Sequence, residues 1–581
     1  MKKLRLVFAF ALVLFLCACS GNNNLATLPT TPSQTASQPP AVDSCSGAHD
    51  FSENSDACAQ CGIDYFSATL TFELAATRDY YTLVGIGKCD RTEIVVPATY
   101  HGLPVKKIGN GALAYYYPQA GVPMSNSFQK HCRNITKIVL PDTVTEIGEH
   151  AFQECTALRE INLPDGITAI SRFTFSGCKS LERIHLPQGI ESIGERSFSD
   201  CQELKELVFP DGLKTIGDNA FSASGITGLV NIPDTVTELG KGAFLSCWSM
   251  EGVRLPDGIS VIQYEAFMGC RGLKNVVFGS NVTRIGQRAF SGTGLESITV
   301  PETVTAIEYG AFRSCLSLRS IALPSGLQEI SERAFQECDM LEYTVYEGAN
   351  YLGNPENPYL VLVALPNSSV TDLTVHEDTA FIIAKHTQYG DFHNEPLFPA
   401  LQTLYIGKSL KTIEFGIFFH AASLASIRVS SENKTLHSPN NCVIDTASKT
   451  LILACKTSVI PEDGSVQVIG RAAFGYIMEL TGIVIPDTVN MISVNAFMNC
   501  PKLEYIVIGS GVKTIYRDVL VNSANIQAIY YHGTAQQWEQ IAIDFNRDLE
   551  NTPLYFYSET QPTEPGNYWH YVDGVPTPWE T

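Results

Sequence analysis

The sequence predicts a repeat solenoid, a rod of stacked coils with one parallel strand in each coil, on two observations. The phrase L-x-x-I-x-L-P-D-x-V-T-x-I-G-x-x-A-F-x-x-C recurs nine times between Val144 and Cys338. Its Phe recurs every 23 residues, with a single step of 22 from Phe290 to Phe312. A fixed period of about 20 to 29 residues is typical of stacked coils, because one coil cannot bury its own apolar face. The nine residues are Phe152, Phe175, Phe198, Phe221, Phe244, Phe267, Phe290, Phe312 and Phe335.

Each part of a coil predicts one element. Apolar residues alternate over 158–163, which is typical of a short strand, and Pro164 ends that strand because proline has no N–H for the ladder. Apolar residues in 167–170 predict a second short extended piece. The step that ends at Phe175 predicts a single helical or 3-10 turn that points the ring inward. The predicted class is therefore an α/β-type solenoid with coils of about 23 residues.

The repeat also organises the rest of the chain. We expect the solenoid over 65–533, with irregular coils at 343–399 and 430–470 that keep strand-like runs. A solenoid must cover its last strand, so the segment after the last coil predicts a cap. The six predicted segments are a signal peptide (1–18), a flexible tether (19–43), a Cys/His cluster (44–64), the solenoid (65–533), the cap (534–560) and an aromatic tail (561–581).

The N-terminus predicts export and a lipid anchor. Basic residues at positions 2, 3 and 5 precede an apolar run over 6–16, a pattern of signal-peptide length. The run ends Leu16-Cys17-Ala18-Cys19, which resembles the lipobox of bacterial lipoproteins. That resemblance implies cleavage before Cys19 and lipidation of Cys19, so that acyl chains hold the protein at a membrane without spanning it. The alternative is an ordinary signal peptide with chance cysteines.

Eight of the 17 cysteines lie three residues after the Phe-equivalent position of a coil. A disulfide framework is the usual expectation for an exported chain. However, the coils of Phe221 and Phe290 lack the Cys and also have a shorter turn. The Cys therefore occurs together with the longer turn, as expected for a small residue that fills the coil corner. We therefore expect small buried free thiols. They are Cys155, Cys178, Cys201, Cys247, Cys270, Cys315, Cys338 and Cys500.

A second group of sulfur and imidazole ligands precedes the solenoid. Cys45, His49, Cys58 and Cys61 lie within 17 residues, two of them in a C-x-x-C knuckle. Four such ligands suit a tetrahedral structural zinc, and so short a segment has no core to order it otherwise. A Cys58–Cys61 or Cys45–Cys58 disulfide is a rival interpretation, and a segment with neither is the third. Zinc there would be structural, since four protein ligands leave no open position for catalysis.

Composition disfavours several functions. The net charge of −21 leaves little to neutralise phosphates, so we expect no nucleic-acid partner. Beyond the N-terminus, no apolar run of about 18 residues predicts a membrane span. The sequence contains no H-E-x-x-H, G-x-S-x-G, P-loop or D-x-D-x-D-G motif. We therefore expect no enzyme, no catalytic residue and no cofactor other than the candidate zinc.

The outward side of the predicted strands carries charges of alternating sign at Lys137, Glu160, Arg183 and Glu206. Such a ladder is typical of modest cross-strand pairing at a solvated surface. It shows no unbroken aromatic track of the kind that binds sugars. Two polar stretches, Tyr351 to Pro358 and His386 to Phe398, predict loops that leave the rod, and loops often carry specific contacts.

The repeated phrase resembles the leucine-rich repeats of BspA-like bacterial surface proteins. The resemblance covers about Tyr80 to His532, and nine near-identical copies make it specific. Flanking segments are also similar to those of exported relatives, among them 58–62, 81–87 and 530–534 with Trp538. The resemblance implies a surface-displayed, non-enzymatic adhesion or interaction protein whose partners are proteins of a host or of neighbouring cells. It supplies no catalytic residue.

A rival function depends on the C-terminal aromatics. Trp569, Tyr571 and Trp579 lie close together in sequence, and 568–574 faintly resembles one copy of an aromatic-glycine repeat that binds cell walls. The alternative prediction is therefore a polysaccharide-binding or wall-attached module. The sequence does not identify the binding residues of either function.

Overall fold

The computed structural model describes residues 70–86, 91–114, 132–331, 333–364, 369–383, 398–414, 416–419 and 421–580. It is a β-solenoid of about 19 turns, with roughly 23 residues per coil and very little helix. Leu158, Ile184 and Phe209, from three successive coils, lie in one core. The predicted solenoid is therefore confirmed.

The strands are short because each coil of about 23 residues must turn several times. At the N-terminal end the strands are β1 (Thr71–Leu74), β2 (Tyr81–Gly85), β3 (Glu93–Val95), β4 (Thr99–Tyr100) and β5 (Leu103–Ile108). The regular coils contain β6 (Lys137–Val139), β7 (Glu146–Ile147), β8 (Glu160–Ile161), β9 (Ala169–Ile170), β10 (Ser192–Ile193), β11 (Thr215–Ile216), β12 (Gly228–Asn231), β13 (Glu238–Leu239), β14 (Met250–Arg254), β15 (Val261–Ile262), β16 (Asn275–Val277), β17 (Arg284–Ile285), β18 (Ser297–Thr299), β19 (Ala306–Ile307), β20 (Ser320–Ala322) and β21 (Glu329–Ile330).

The remaining coils are less regular. Their strands are β22 (Thr344–Tyr346), β23 (Ala349–Leu352), β24 (Val361–Ala364), β25 (Asp372–Thr374), β26 (Phe381–Ile382), β27 (Thr403–Ile406), β28 (Thr412–Ile413), β29 (Ser426–Val429), β30 (Leu436–His437), β31 (Val443–Asp445) and β32 (Thr450–Leu453). The C-terminal strands are β33 (Val468–Ile469), β34 (Gly482–Ile485), β35 (Met491–Ile492), β36 (Tyr505–Gly509), β37 (Thr514–Ile515), β38 (Ala528–His532), β39 (Ala542–Ile543), β40 (Leu554–Tyr557), β41 (Tyr568–Val572) and β42 (Val575–Pro578). The helical segments within the described residues are two 3-10 turns, at 132–134 and Pro439–Asn441, and the short helices α1 (Ala535–Trp538) and α2 (Arg547–Glu550).

Most coils contribute strands to two parallel rows, where the sequence predicted one strand and a further extended piece. The first row contains the Leu/Ile strands, as in the sheets β12-β14-β16 and β18-β20. The second row contains the pieces after the Pro turn, as in β9-β10-β11-β13 and β15-β17-β19-β21. Stacking is in register, with Val253 beside Val276 in the first row and Ser192 beside Thr215 in the second.

The turn that carries the Phe forms a third ladder. We call the five residues centred on the Phe the corner of the coil. In the coil of Phe152, the amides of His150, Phe152 and Glu154 donate to carbonyls of the next coil at 3.1, 2.9 and 2.7 Å. Both His150 and Glu154 have positive φ, 58° and 62°, which breaks any helix. The corner is therefore a turn and not a continuous helix: alternate amides bond to the next coil, while the amides of Gln153 and Cys155 bond back three residues along the chain at 3.1 and 3.2 Å.

The nine Phe of the repeat stack in one column inside the rod. Successive ring centroids lie 5.2 to 5.9 Å apart and the rings are nearly parallel. The same contact returns between Phe474 and Phe497 at 5.3 Å. The column is continuous with the aliphatic core, so each coil is held by its two neighbours.

The eight repeat cysteines are buried and free, as predicted. Each thiol donates to a backbone carbonyl of the preceding coil, at 3.0 to 3.2 Å. Ser523 does the same with its hydroxyl, at 2.8 Å from the Phe497 carbonyl. The position therefore requires a small donor as well as a small volume, a role that the sequence analysis missed.

Asparagine side chains join the irregular coils to the regular stack. The amide nitrogen of Asn433 donates to the carbonyls of Gly407 and Leu410 at 2.9 and 3.1 Å, and its oxygen accepts from two backbone amides. Asn546 links Tyr516 to Val519 in the same way. Because an Asn side chain carries both a donor and an acceptor, it replaces backbone pairing where the coil geometry changes.

Candidate binding surface

The outward side of the first strand row, which we call the strand face, forms because Leu and Ile point inward at alternate positions and the residues between them point outward. Its first coils carry the predicted charge ladder. Lys137 pairs with Glu160 at 3.0 Å, and Arg183 lies beside Glu206 on the next strand. Both partners of the first pair are well exposed, so the pair adds little stability and keeps this part of the surface solvated.

The strand face changes character from Val208 onward, which the sequence analysis did not identify. Val208, Leu229 and Val277 are 79%, 57% and 54% exposed. Two charged residues interrupt the first-row strands from Gly228 to Ala322: Glu251, which is exposed in β14, and Arg254, whose guanidinium pairs with Asp234 at 2.9 Å. Burying uncharged surface avoids the cost of desolvating ions, so this strip is the part of the face most easily covered by a partner. Its outward residues are Leu229, Asn231, Gly252, Arg254, Asn275, Val277, Ser297, Thr299, Ser320 and Ala322.

The strip ends in a groove of about 410 Å³ beside the predicted loop. Ser297, Thr299, Ser320 and Ala322 form its floor, and residues 353–358 form a wall. Small floor side chains let a partner approach the sheet closely. The strip and the groove together form a continuous, sparsely charged surface with a raised edge, and Glu342 is the charged residue that lines the groove.

The wall is held in place by Asn354. Its amide nitrogen donates to the carbonyl of Leu323 at 2.8 Å, and its oxygen accepts from the Asn357 amide at 2.7 Å. Asn354 is buried, so these bonds are shielded from water. The wall is therefore preformed, which lowers the entropic cost of binding.

Aromatic side chains support the other side of the loop. His376 stacks on Tyr359 with ring centroids 3.9 Å apart, and its amide donates to the Tyr351 hydroxyl at 3.3 Å. Burial raises the pKa of Tyr351 to about 12, so this hydroxyl is neutral at physiological pH. Of the second predicted loop only Phe398 is described, and it is buried in the core.

The C-terminal tryptophans pack against the last strands of the solenoid and do not form an exposed surface on which a sugar could stack. Trp569 is 0% exposed, and its indole nitrogen donates to the Tyr531 carbonyl at 3.0 Å. Trp579 stacks on His570 at 3.6 Å and donates to the Ser558 carbonyl at 3.0 Å. The segments predicted as cap and aromatic tail contribute β40, β41 and β42 to one six-stranded sheet.

The proposed lipid and metal residues, Cys19, Cys45, His49, Cys58 and Cys61, lie outside the described residues. Across the described ranges, no group of three or more His, Cys, Asp or Glu could hold a metal ion. The same part of the chain contains no helix with the length and apolar character needed to cross a membrane.

A His–Asp–Ser cluster in the last coils is built differently from a nucleophilic triad. Asp487 accepts from the Ser510 hydroxyl at 3.0 Å and lies 3.1 Å from the imidazole of His532. These bonds lower the pKa of Asp487 against the opposing effect of burial, which is the largest single influence on it. Because Ser510 donates to the carboxylate and not to the imidazole, the imidazole of His532 is not placed to activate it as it would be in a triad.

The fold and the strand face define a class: a parallel β-solenoid of leucine-rich coils with a broad exposed surface. A model of the BspA type leucine rich repeat region matches the chain in six copies, over residues 124–251, 237–355 and 452–555. These ranges span more than half of the sequence, and the chain belongs to this repeat family. A search of curated proteins found no match.

Solved structures that this chain matches come from several bacteria. A leucine-rich repeat protein from Bacteroides ovatus is 22% identical over 84% of this chain and 98% of its own, with a TM-score of 0.34. A leucine rich cell surface protein from Faecalibacterium prausnitzii is 22% identical over 82% of this chain and 97% of its own, with a TM-score of 0.30. The leucine rich repeat protein of T. pallidum is 28% identical over 39% of this chain and 86% of its own, with a TM-score of 0.27.

Proposed function

We propose that this protein is a non-enzymatic cell-surface binding protein that recognises a protein partner through the strip and groove of the strand face. The observation that carries the proposal is the sparsely charged strip that leads into a preformed groove of about 410 Å³. A standard interface covers about 800 Å² per partner, and a strip that spans several coils offers an area of that order. The partners are proteins of a host or of neighbouring cells.

Surface display is part of the same proposal. Lipidation of Cys19 would hold the chain at the membrane, and the tether over 19–43, rich in Asn, Thr, Ser, Gln and Pro, would lift the solenoid away from it. Detergent partitioning tests the anchor. The wild type should enter the detergent phase and Cys19→Ala the aqueous phase, whereas identical partitioning of both would refute the anchor.

The binding site is tested by adding charge and bulk to the groove. Thr299→Arg and Ser320→Arg place long cations on the floor of the groove. Thr237→Arg is the matched control, since Thr237 is exposed but lies next to the second strand row. Retention of host matrix proteins and neighbouring bacterial cells by the tethered protein should fall with the first two variants and not with the third. Equal retention by all three variants would exclude the groove.

The polysaccharide alternative receives no support from its own residues. Trp569 is fully buried and Trp579 is stacked against His570, so their substitution would disturb the cap as well as any glycan contact. The informative comparison is glycan retention by the intact chain. Retention of purified cell-wall polysaccharide that survives Thr299→Arg would favour the wall-binding function over the proposed one.

A further inference from the structure

The groove on the strand face is lined by polar side chains that are available to a partner. Ser297, Thr299 and Ser320 are exposed on its floor. Thr344 also lines it. None of these four hydroxyls has a hydrogen-bond partner within the part of the chain that the structure describes. Elsewhere in the solenoid a hydroxyl such as that of Thr303 donates to a carbonyl of a neighbouring coil, at 2.7 Å. The groove therefore presents hydrogen-bonding groups that the chain itself does not use.

The groove also carries one charge. Glu342 is exposed, and it is the single charged residue among the described residues that line the groove. Its carboxylate makes no ion pair with any described residue, whereas Glu296, two coils earlier at the equivalent position, pairs with Lys274 at 3.7 Å. Arg319, on the coil between them, accepts the Glu342 amide with its carbonyl at 2.8 Å but does not line the groove. No contact within the described chain therefore neutralises the negative charge of the groove.

We propose that the groove receives a lysine or arginine side chain of the protein partner, with Glu342 as its counter-ion. This inference rests on the proposed function, because it names the group that the partner inserts into the same site. An ammonium or guanidinium group carries only donors, which match the Glu342 carboxylate and the oxygens of the floor hydroxyls. The methylene stem of such a side chain packs along Ala322 and Pro355, which line the groove.

Other ligand groups fit the groove less well. A carboxylate or phosphate would lie beside Glu342, and no cation among the described lining residues would bind it. A sugar would lack a ring on which to stack, because Tyr351 is the one aromatic residue of the described lining and is 1% exposed. The net charge of −21 also favours the approach of a basic partner.

The wall of the groove strengthens this ion pair relative to one on an open surface. An exposed pair such as Lys137 and Glu160 is screened by water and salt. A cation in the groove would lie between the floor and the wall at 353–358, where less water competes and the effective dielectric constant is lower. Removing the charge of Glu342 should therefore have a measurable effect on binding.

Phage-displayed random dodecapeptides, selected on the purified full-length protein, test the inference. Peptides that occupy the groove are recognised by weaker binding to the Thr299→Arg variant. These peptides should be enriched in Lys and Arg relative to the starting library, and Glu342→Gln should weaken their binding at least about tenfold. Glu329→Gln is the matched control and should leave binding unchanged, since Glu329 is exposed on the second strand row and does not line the groove.

The possible outcomes separate this inference from the proposed function. If Thr299→Arg weakens the binding of no selected peptide, the groove is not a binding site and both proposals fail. If Thr299→Arg weakens binding but Glu342→Gln does not, the groove remains supported and the cationic side chain is rejected. Groove-binding peptides without enrichment in Lys or Arg would reject it as well.

Salt dependence gives a readout that a change of shape in the groove would not produce. Added salt should weaken peptide binding to the wild type more than to Glu342→Gln, because salt screens the ion pair. Glu342→Asp keeps the charge and should retain both the salt dependence and part of the affinity. Equal salt dependence of the wild type and Glu342→Gln would contradict a direct ion pair at this residue.

Discussion

At the residue scale, the Phe column is the feature on which the stack depends most. Phe198 lies between Phe175 and Phe221 with centroid distances of 5.2 and 5.3 Å and is fully buried. We predict that Phe198→Ala lowers the free energy of unfolding by about 3–5 kcal/mol, because it removes a large ring from a packed core and leaves a cavity. Chemical denaturation measures the loss.

The damage should also be local. Coils contact only their neighbours, so hydrogen exchange should accelerate in the coils of Phe175, Phe198 and Phe221 and not at the ends of the array. Val208→Ala, which truncates an exposed side chain on the next strand, is the control and should change stability by no more than about 0.5 kcal/mol. Loss of protection along the whole array would contradict nearest-neighbour coupling.

The buried thiols predict weaker stability at alkaline pH. Burial raises the pKa of the Cys201 thiol well above its ordinary value, so the folded chain keeps the proton at pH values where the unfolded chain releases it. The stabilising effect is complete below the unfolded pKa of about 8.5 and declines above it, by up to about 1.4 kcal/mol per pH unit for each thiol whose pKa the fold raises in this way. Denaturation measured from pH 7 to 10 should show this fall.

The Cys201→Ser variant measures how much one thiol contributes to the pH dependence of stability. A hydroxyl can replace the thiol donor, as Ser523 shows, but it does not ionise in this range. The variant should fold and should lose stability less steeply than the wild type above pH 8.5. A slope identical to that of the wild type would show that Cys201 does not titrate in the unfolded chain as described.

The sequence predicted that these residues are buried, but it did not predict which hydrogen bonds they form. The period placed the Phe and Cys positions inside the rod, because a repeated apolar position in a solenoid must face the core. The thiol can donate only because stacking brings a carbonyl of the preceding coil within hydrogen-bonding distance. No local sequence pattern reveals that distance. A usable signal existed, since Ser224 and Thr293 replace Cys at the same coil position.

At the element scale, the second strand row and the corner show where local patterns are insufficient. The strand pieces of two residues are too short to be predicted as strands, and they form only because identical pieces stack in register. The corner was predicted as a helical or 3-10 turn from its Ala-Phe step. Positive φ at non-Gly residues such as Ala223 and Glu265 prevents a helix, and cross-coil hydrogen bonds compensate for that unfavourable conformation.

The C-terminal edge strand β42 is blocked against further pairing. In its antiparallel pairing with β41, His570 lies opposite Thr577, while Pro576 and Pro578 occupy the alternate positions. The amide of Trp579 donates inward to Tyr568, so those alternate positions point outward. Proline has no amide hydrogen, and the free edge therefore offers no donor at either place.

Replacing both prolines should open that edge. We predict that Pro576→Val with Pro578→Val produces concentration-dependent association, because two amide donors become available to a strand of another molecule. Sedimentation analysis over a range of concentrations measures it. Thr577→Val is the matched control, since Thr577 already faces β41, and it should stay monodisperse with the wild type. An unassociated double variant would show that the edge is protected by other means.

At the scale of the whole molecule, the sequence predicted the solenoid but not the division of its surface into charged and sparsely charged parts. The ladder from Lys137 to Glu206 was visible as alternating charge, whereas the sparsely charged strip depends on which positions of many coils share one face. The groove forms only where the wall at 353–358 leaves the stack beside Ser320. It could not be placed from sequence because Asn354 reaches back to Leu323 across 31 positions.

Hydroxyl-radical footprinting of the intact protein with its retained protein partner tests the central claim most directly. The partner should reduce oxidation of Leu229 and Val277 on the strip and of Pro355 on the wall of the groove. Oxidation of Trp248 and Leu316, which are exposed on other parts of the coils, should be unchanged. Protection of Trp248 and Leu316 with the strip still fully oxidised would show that the partner binds another side of the solenoid.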